Sequence, residues 1–88
     1  MKADIKKRTL HRLKIIEGQV RGIREMVESE KYCIDIITQT SAIKQALSGV
    51  EDSLMENHLG CCVVDQIRKG KEVQAKEEIL KVYRLKRK

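Results

Sequence analysis

The sequence predicts an all-α protein with three helices per protomer, the second of them unusually long. Three observations carry this. No proline interrupts any of the 88 residues. Leucine, isoleucine, lysine, glutamate and arginine dominate, and Tyr32 and Tyr83 are the only aromatic residues, a composition typical of helical proteins. Apolar residues recur at alternating spacings of three and four, with no run of strict alternation that would suit a strand.

The first helix is carried by Leu13, Ile16, Val20, Ile23 and Val27, which form a heptad seam suited to packing against other helices. Gly18 and Gly22 lie four apart within it. Glycine costs about 1 kcal/mol in a helix interior, so the pair predicts a backbone held close to a neighbouring helix or a ligand. Ser29-Glu30-Lys31 is the best break, and a new helix can begin at position 29 or 30.

The second helix repeats the seam with Ile36, Thr40, Ile43, Leu47, Val50 and Leu54. Gly49 and Gly60 are isolated, so nothing strong stops it before Gly70, and it is expected over about 31–69. Such a long apolar stripe is buried in bundles or oligomers. Gly70 reads as a C-cap. A last helix is expected over about 72–85, burying Ile79, Val82 and Leu85, with Lys86-Arg87-Lys88 frayed.

The length suits one domain over 1–88, whose thin core would gain from association. No apolar run approaches the roughly 20 residues that span a bilayer. The charged start, Met1-Lys2-Ala3-Asp4-Ile5-Lys6-Lys7, lacks the apolar stretch of a signal peptide, so the expected location is the cytoplasm, with no membrane partner. There, three cysteines suggest thiolate chemistry more than disulfides. The net charge of +6 is unevenly spread: residues 1–24 and 66–88 are strongly basic, and residues 25–65 are acidic. Two basic ends suit a polyanion such as DNA or RNA, although a solvated basic face has the same look.

Cys33, His58 and Cys62 form the candidate site. One helical face can present both His58 and Cys62, which are four residues apart. Cys33 lies 25 residues before His58. If one helix joins them, that separation is about 37 Å, whereas metal–ligand bonds are about 2.0–2.3 Å. Cys33 must then meet a His58–Cys62 pair from another protomer, or the three form no site. Two sulfurs and one nitrogen suit a soft ion; zinc prefers four ligands, which tilts the choice toward Cu(I). Cys33 falls near a helix N-terminus, where the dipole favours an anion such as a thiolate. Cys61 competes with Cys62: on an α-helix they lie about 60° and about 40° from His58, on opposite sides. Spacing leaves that choice open, along with the plainer reading of cysteines as small core residues.

Other chemistries lack support. The chain has no Gly-rich phosphate loop, no Gly-x-Ser-x-Gly elbow and no His-Glu-x-x-His pair, so no enzyme is expected. His11 lies in the basic first helix with no cysteine or carboxylate pair near it in sequence, and reads as a surface or DNA-facing residue.

The run from Arg12 to Ile23 (Arg-Leu-Lys-Ile-Ile-Glu-Gly-Gln-Val-Arg-Gly-Ile) resembles the first-helix signature of the CsoR/RcnR family of bacterial metal- and stress-sensing transcriptional repressors. Tyr32-Cys33 and Thr38-Gln39-Thr40-Ser41-Ala42-Ile43 resemble the start of that family's second helix. The resemblance spans essentially the whole chain. It implies three-helix protomers that pair into an antiparallel four-helix-bundle dimer, and dimers that pair into a flat, D2-symmetric tetramer. It also implies a sensing site built from two protomers. The copper branch uses a cysteine, a histidine 25 residues on and a cysteine four further, which Cys33, His58 and Cys62 match one for one. That match selects Cys62 over Cys61. The nickel/cobalt branch has histidine at the last position, and the formaldehyde branch relies on a proline where Lys2 stands. The persulfide branch lacks the histidine.

By the same resemblance, Tyr32 and Glu78 occupy the positions that support the metal-bound histidine, a role that a hydroxyl or carboxylate accepting its free N–H can fill. Arg12 and Gln19 match the family's first-helix DNA positions, and Lys44 is a neighbour on the second helix. Lys6, Lys7, Arg8, Lys14 and Arg21 would add phosphate attraction. The resemblance therefore implies a homotetrameric repressor that binds operator DNA metal-free. One Cu(I) per protomer, at a site shared between two protomers, would release it and derepress copper export. A persulfide-responsive repressor and a copper buffer are the competing expectations.

Overall fold

The computed structural model describes residues 1–87. It is all-helical, with no strand among the described residues. Helix α1 spans Ala3–Glu28 and α2 spans Cys33–Asn57. A π-helical segment, His58–Val63, follows without a break and leads into α3, Val64–Arg68. Helix α4 spans Glu72–Arg87. Asn57 and Val64, on either side of the π segment, both keep helical dihedrals. The expected long second helix is therefore present over 33–68, but with an unexpected change of winding inside it.

The breaks fall where the sequence put them, through one device used twice. At the end of α1, Lys31 N–H donates to Met26 C=O at 2.9 Å and Glu30 N–H to Val27 C=O at 3.0 Å. At the end of α3, Lys71 N–H donates to Gln66 C=O at 2.7 Å and Gly70 N–H to Ile67 C=O at 3.0 Å. Both are Schellman closures, which need a left-handed residue. Gly70 takes that role at φ 74°, as the sequence suggests, whereas Glu30 takes it at φ 53° without glycine's freedom. Helix α2 begins at Cys33, two residues later than expected, because this closure occupies Glu30 and Lys31. Tyr32 C=O accepts from Asp35 and Ile36 N–H and so opens α2. Helix α4 extends through Lys86 and Arg87, which were expected to fray. Lys88 lies outside the described residues.

The chain divides into two compact units, Met1–Met55 and the residues from Glu56 onward. In the first, Ile16, Ile43 and Val50 form the buried core, flanked by Ile23, Ala46 and Leu54. Each heptad seam is only half used. Thr9, Ile16 and Ile23, seven apart on α1, are covered or partly covered. The alternate row stays open: Val20 is 52% and Val27 56% exposed. Within the chain, a Cβ added at Gly18 or Gly22 would meet nothing within 4 Å, so α2 is not the close neighbour that the glycine pair predicted.

In the second unit, Val63 and Ala75 are buried. With Ile67, Ile79 and Leu80 they line an apolar groove of about 300 Å³. Ile79 and Val82 are half-buried as expected, but Leu85 is exposed. No described helix is long and apolar enough to cross a membrane.

Candidate metal centre

Cys33 is the first residue of α2, and both it and Tyr32 before it are exposed. At 1.5 Å per residue, the 25 residues of α2 extend about 37 Å. Among the described residues of the chain, no three of His, Cys, Asp and Glu come together in a group that could hold a metal.

His58 and Cys62 lie in the π segment, both half-buried, while Cys61 between them is exposed. The i→i+5 bonding of the segment shifts the helical phase here, and an ideal winding of that kind would keep Cys62 nearer to His58 than Cys61. Gly60 is the one sequence signal for an irregular winding here, because glycine weakens an α-helix locally.

His58 has a carboxylate neighbour in its own unit. Its Nε2 lies 3.5 Å from Glu78 Oε2 on α4, with side chains 32% and 42% exposed. Two amides also hold Glu78. Gln74 Nε2 donates to Oε1 at 3.0 Å. Gln66 Nε2, on α3, lies 3.3 Å from Oε2 and 3.5 Å from Oε1. These contacts keep the Glu78 carboxyl below the usual carboxylate range: Gln74 acts most, then Gln66, with a smaller contribution from His58, against a partial desolvation that pushes the other way. Neither glutamine stood out in the sequence, since a surface-type residue on a helix carries no signal of its partner.

The donor chemistry fits a soft ion. With Nε2 turned to Glu78, His58 leaves Nδ1 as the nitrogen that can bind a metal, as expected of an imidazole oriented by a carboxylate. The nearby thiol at the same helical position is Cys62. Both candidate ligands come from one segment, and Cys33 is exposed.

The candidate DNA residues lie in the first unit. Arg12 Nη1 donates to Ser53 Oγ on α2 at 3.2 Å, a partner the sequence did not reveal. Arg12 and Gln19 line one groove of about 340 Å³ with Ile15, Ile16, Ala46 and Gly49. Lys6, Lys7, Arg8, Lys14 and Arg21 are exposed on α1, as is Lys44 on α2.

The family model for metal-sensitive transcriptional repressors matches residues 5–84. The copper-sensing transcriptional repressor CsoR of Bacillus subtilis is 49% identical over 74 residues, 84% of this chain and 73% of that protein. The copper-sensing transcriptional repressor CsoR of Mycobacterium tuberculosis is 35% identical over 75 residues, 85% of this chain and 63% of that protein. The crystal structure of the copper-sensing repressor CsoR with Cu(I) from Geobacillus thermodenitrificans matches with a TM-score of 0.92 at 42% identity, over 100% of this chain and 92% of that one. This chain belongs to the family of metal-sensitive transcriptional repressors, and it is not an enzyme.

Proposed function

We propose that this protein is a cytoplasmic Cu(I)-responsive repressor that holds operator DNA when metal-free and leaves it when Cu(I) binds, derepressing copper export. The observation that carries this reading is the contact of His58 with Glu78, in the same segment as the half-buried Cys62. The copper-sensing relatives, one of them with Cu(I) in its structure, support the choice of ion. Cu(I) is a soft cation that takes thiolate and imidazole ligands readily and does not require four of them.

Cys33 supplies the third ligand from a second protomer, giving one shared Cu(I) per protomer. The length of α2, and the lack of a three-ligand group among the described residues of one chain, support that sharing. The open row of α1, with Val20 and Val27 exposed, supplies an apolar face for a dimer and then a tetramer. Tyr32, next to Cys33, joins Glu78 as a hydrogen-bonding support for the site.

Arg12 and Gln19, with Lys44 beside them, contact the operator. Lys6, Lys7, Arg8, Lys14 and Arg21 attract its phosphates. Coupling works through preference: Cu(I) favours the state with low DNA affinity, and DNA weakens Cu(I) binding by the same factor. The test is an anisotropy titration of operator DNA with and without one Cu(I) per protomer. A fall in affinity on loading supports the reading, and unchanged affinity defeats it. His58→Ala should abolish the response to copper.

A further inference from the structure

We propose that Gln66 is a positioning residue, whose amide fixes the Glu78 carboxylate against His58 and so sets how strongly the site speaks to α4. The coupling half of this inference rests on the copper-release reading; the positioning half does not.

Three polar side chains meet at the Glu78 carboxylate. Gln74, one turn before Glu78 on the same helix, takes Oε1 at 3.0 Å. Oε2 is shared between Gln66 at 3.3 Å and His58 Nε2 at 3.5 Å. Gln74 can therefore brace Glu78 only within α4. Gln66 donates from α3, and it donates to the same oxygen that His58 approaches. It is the only one of the two amides that fixes that oxygen from outside α4.

This contact has a visible cost. Gln66 Oε1 is buried with no hydrogen-bond partner among the described residues. Turning the amide over would set that oxygen against the Glu78 carboxylate, acceptor against acceptor, so the N–H side must face Glu78. A buried acceptor without a donor is destabilising and calls for an explanation. A methionine of similar length would fill the position with no polar atom to satisfy. What the amide adds, and methionine cannot, is the donation to Glu78.

The consequence for His58 is chemical. A neutral imidazole carries its proton on one nitrogen, and the partner of the other decides which. A fixed Glu78 acceptor at Nε2 holds the proton there and leaves the Nδ1 lone pair free. Without Gln66, the Glu78 side chain, 42% exposed, can turn to water and the ring loses its fixed partner.

The experiment compares wild type with Gln66→Met by nitrogen NMR of the metal-free protein at about pH 8, where an ordinary imidazole is neutral. The expected result is a single His58 tautomer with the proton on Nε2 in wild type, and a mixture of tautomers in Gln66→Met. The ratio of metal-free to Cu(I)-loaded operator affinity should shrink by about tenfold, the size expected for an outer partner of a metal-bound histidine. An unchanged tautomer overturns the proposal. Should Gln66→Met fail to fold, that assigns Gln66 to packing and the proposal falls. If Cu(I) leaves wild-type operator affinity unchanged, the copper-release reading falls, and the tautomer comparison still decides what Gln66 does.

Discussion

Glu78 Oε2, on α4, lies 3.5 Å from His58 Nε2 on the π segment. This pair ties a candidate metal ligand on the π segment to the last helix. Metal binding at Nδ1 would strengthen the Nε2–H donor and tighten the contact. We expect Glu78→Gln to keep Cu(I) bound while reducing Cu(I)-driven loss of operator affinity by about tenfold. Paired titrations, one with a Cu(I) chelator and one with operator DNA, separate the two effects.

The two adjacent cysteines should behave differently. Cys62→Ser is expected to remove one of two sulfurs from the Cu(I) coordination seen by X-ray absorption. Cys61→Ser should leave that spectrum unchanged, because Cys61 is exposed where Cys62 is half-buried beside His58. Equal spectral losses in both variants would refute the assignment.

The left-handed positions give a stability prediction of opposite signs. Gly70→Ala forces a Cβ into φ 74° and should cost about 1 kcal/mol. Glu30→Gly relieves φ 53° and should be neutral or stabilising. Urea denaturation at one fixed protein concentration measures both, since assembly makes stability depend on concentration.

The open row of α1 predicts the effect of a charge. Val20, 52% exposed in the single chain, becomes part of the bundle core if the dimer forms through that row. Val20→Asp should lower the mass observed by light scattering. The same substitution should leave the mass unchanged if the row faces solvent.

Glu78 gives a pH prediction. Its folded-state carboxyl titrates below the usual range because Gln74 and Gln66 donate to it. A lowered value means that ionised Glu78 stabilises the fold above the ordinary carboxylate range. That contribution is lost as the pH falls through the folded value. Carboxyl carbon NMR should show the low midpoint, and Gln74→Ala should move it upward.

The sequence by itself determined the helices and their ends. Heptad spacing located α1 and α2, and Gly70 marked a closure, because period and capping are local properties of the chain. By type and spacing it also offered Cys33, His58 and one of Cys61 and Cys62 as candidate ligands, and the family resemblance chose Cys62. Other features depend on what lies across space. Glu30 adopts the left-handed cap only because the closure of α1 demands it. Which row of each seam is covered was settled when Ile16 met Ile43 and Val50. The π segment, in which Cys61 is exposed and Cys62 half-buried, shifts the helical phase without changing a residue. Gln66 gained its partner only when α3 met α4 at the Glu78 carboxylate, whereas Gln74 reaches it one turn along its own helix. Period and residue type are written along the chain; partners across helices are fixed only by packing, because a polar side chain's role depends on the group it is folded against.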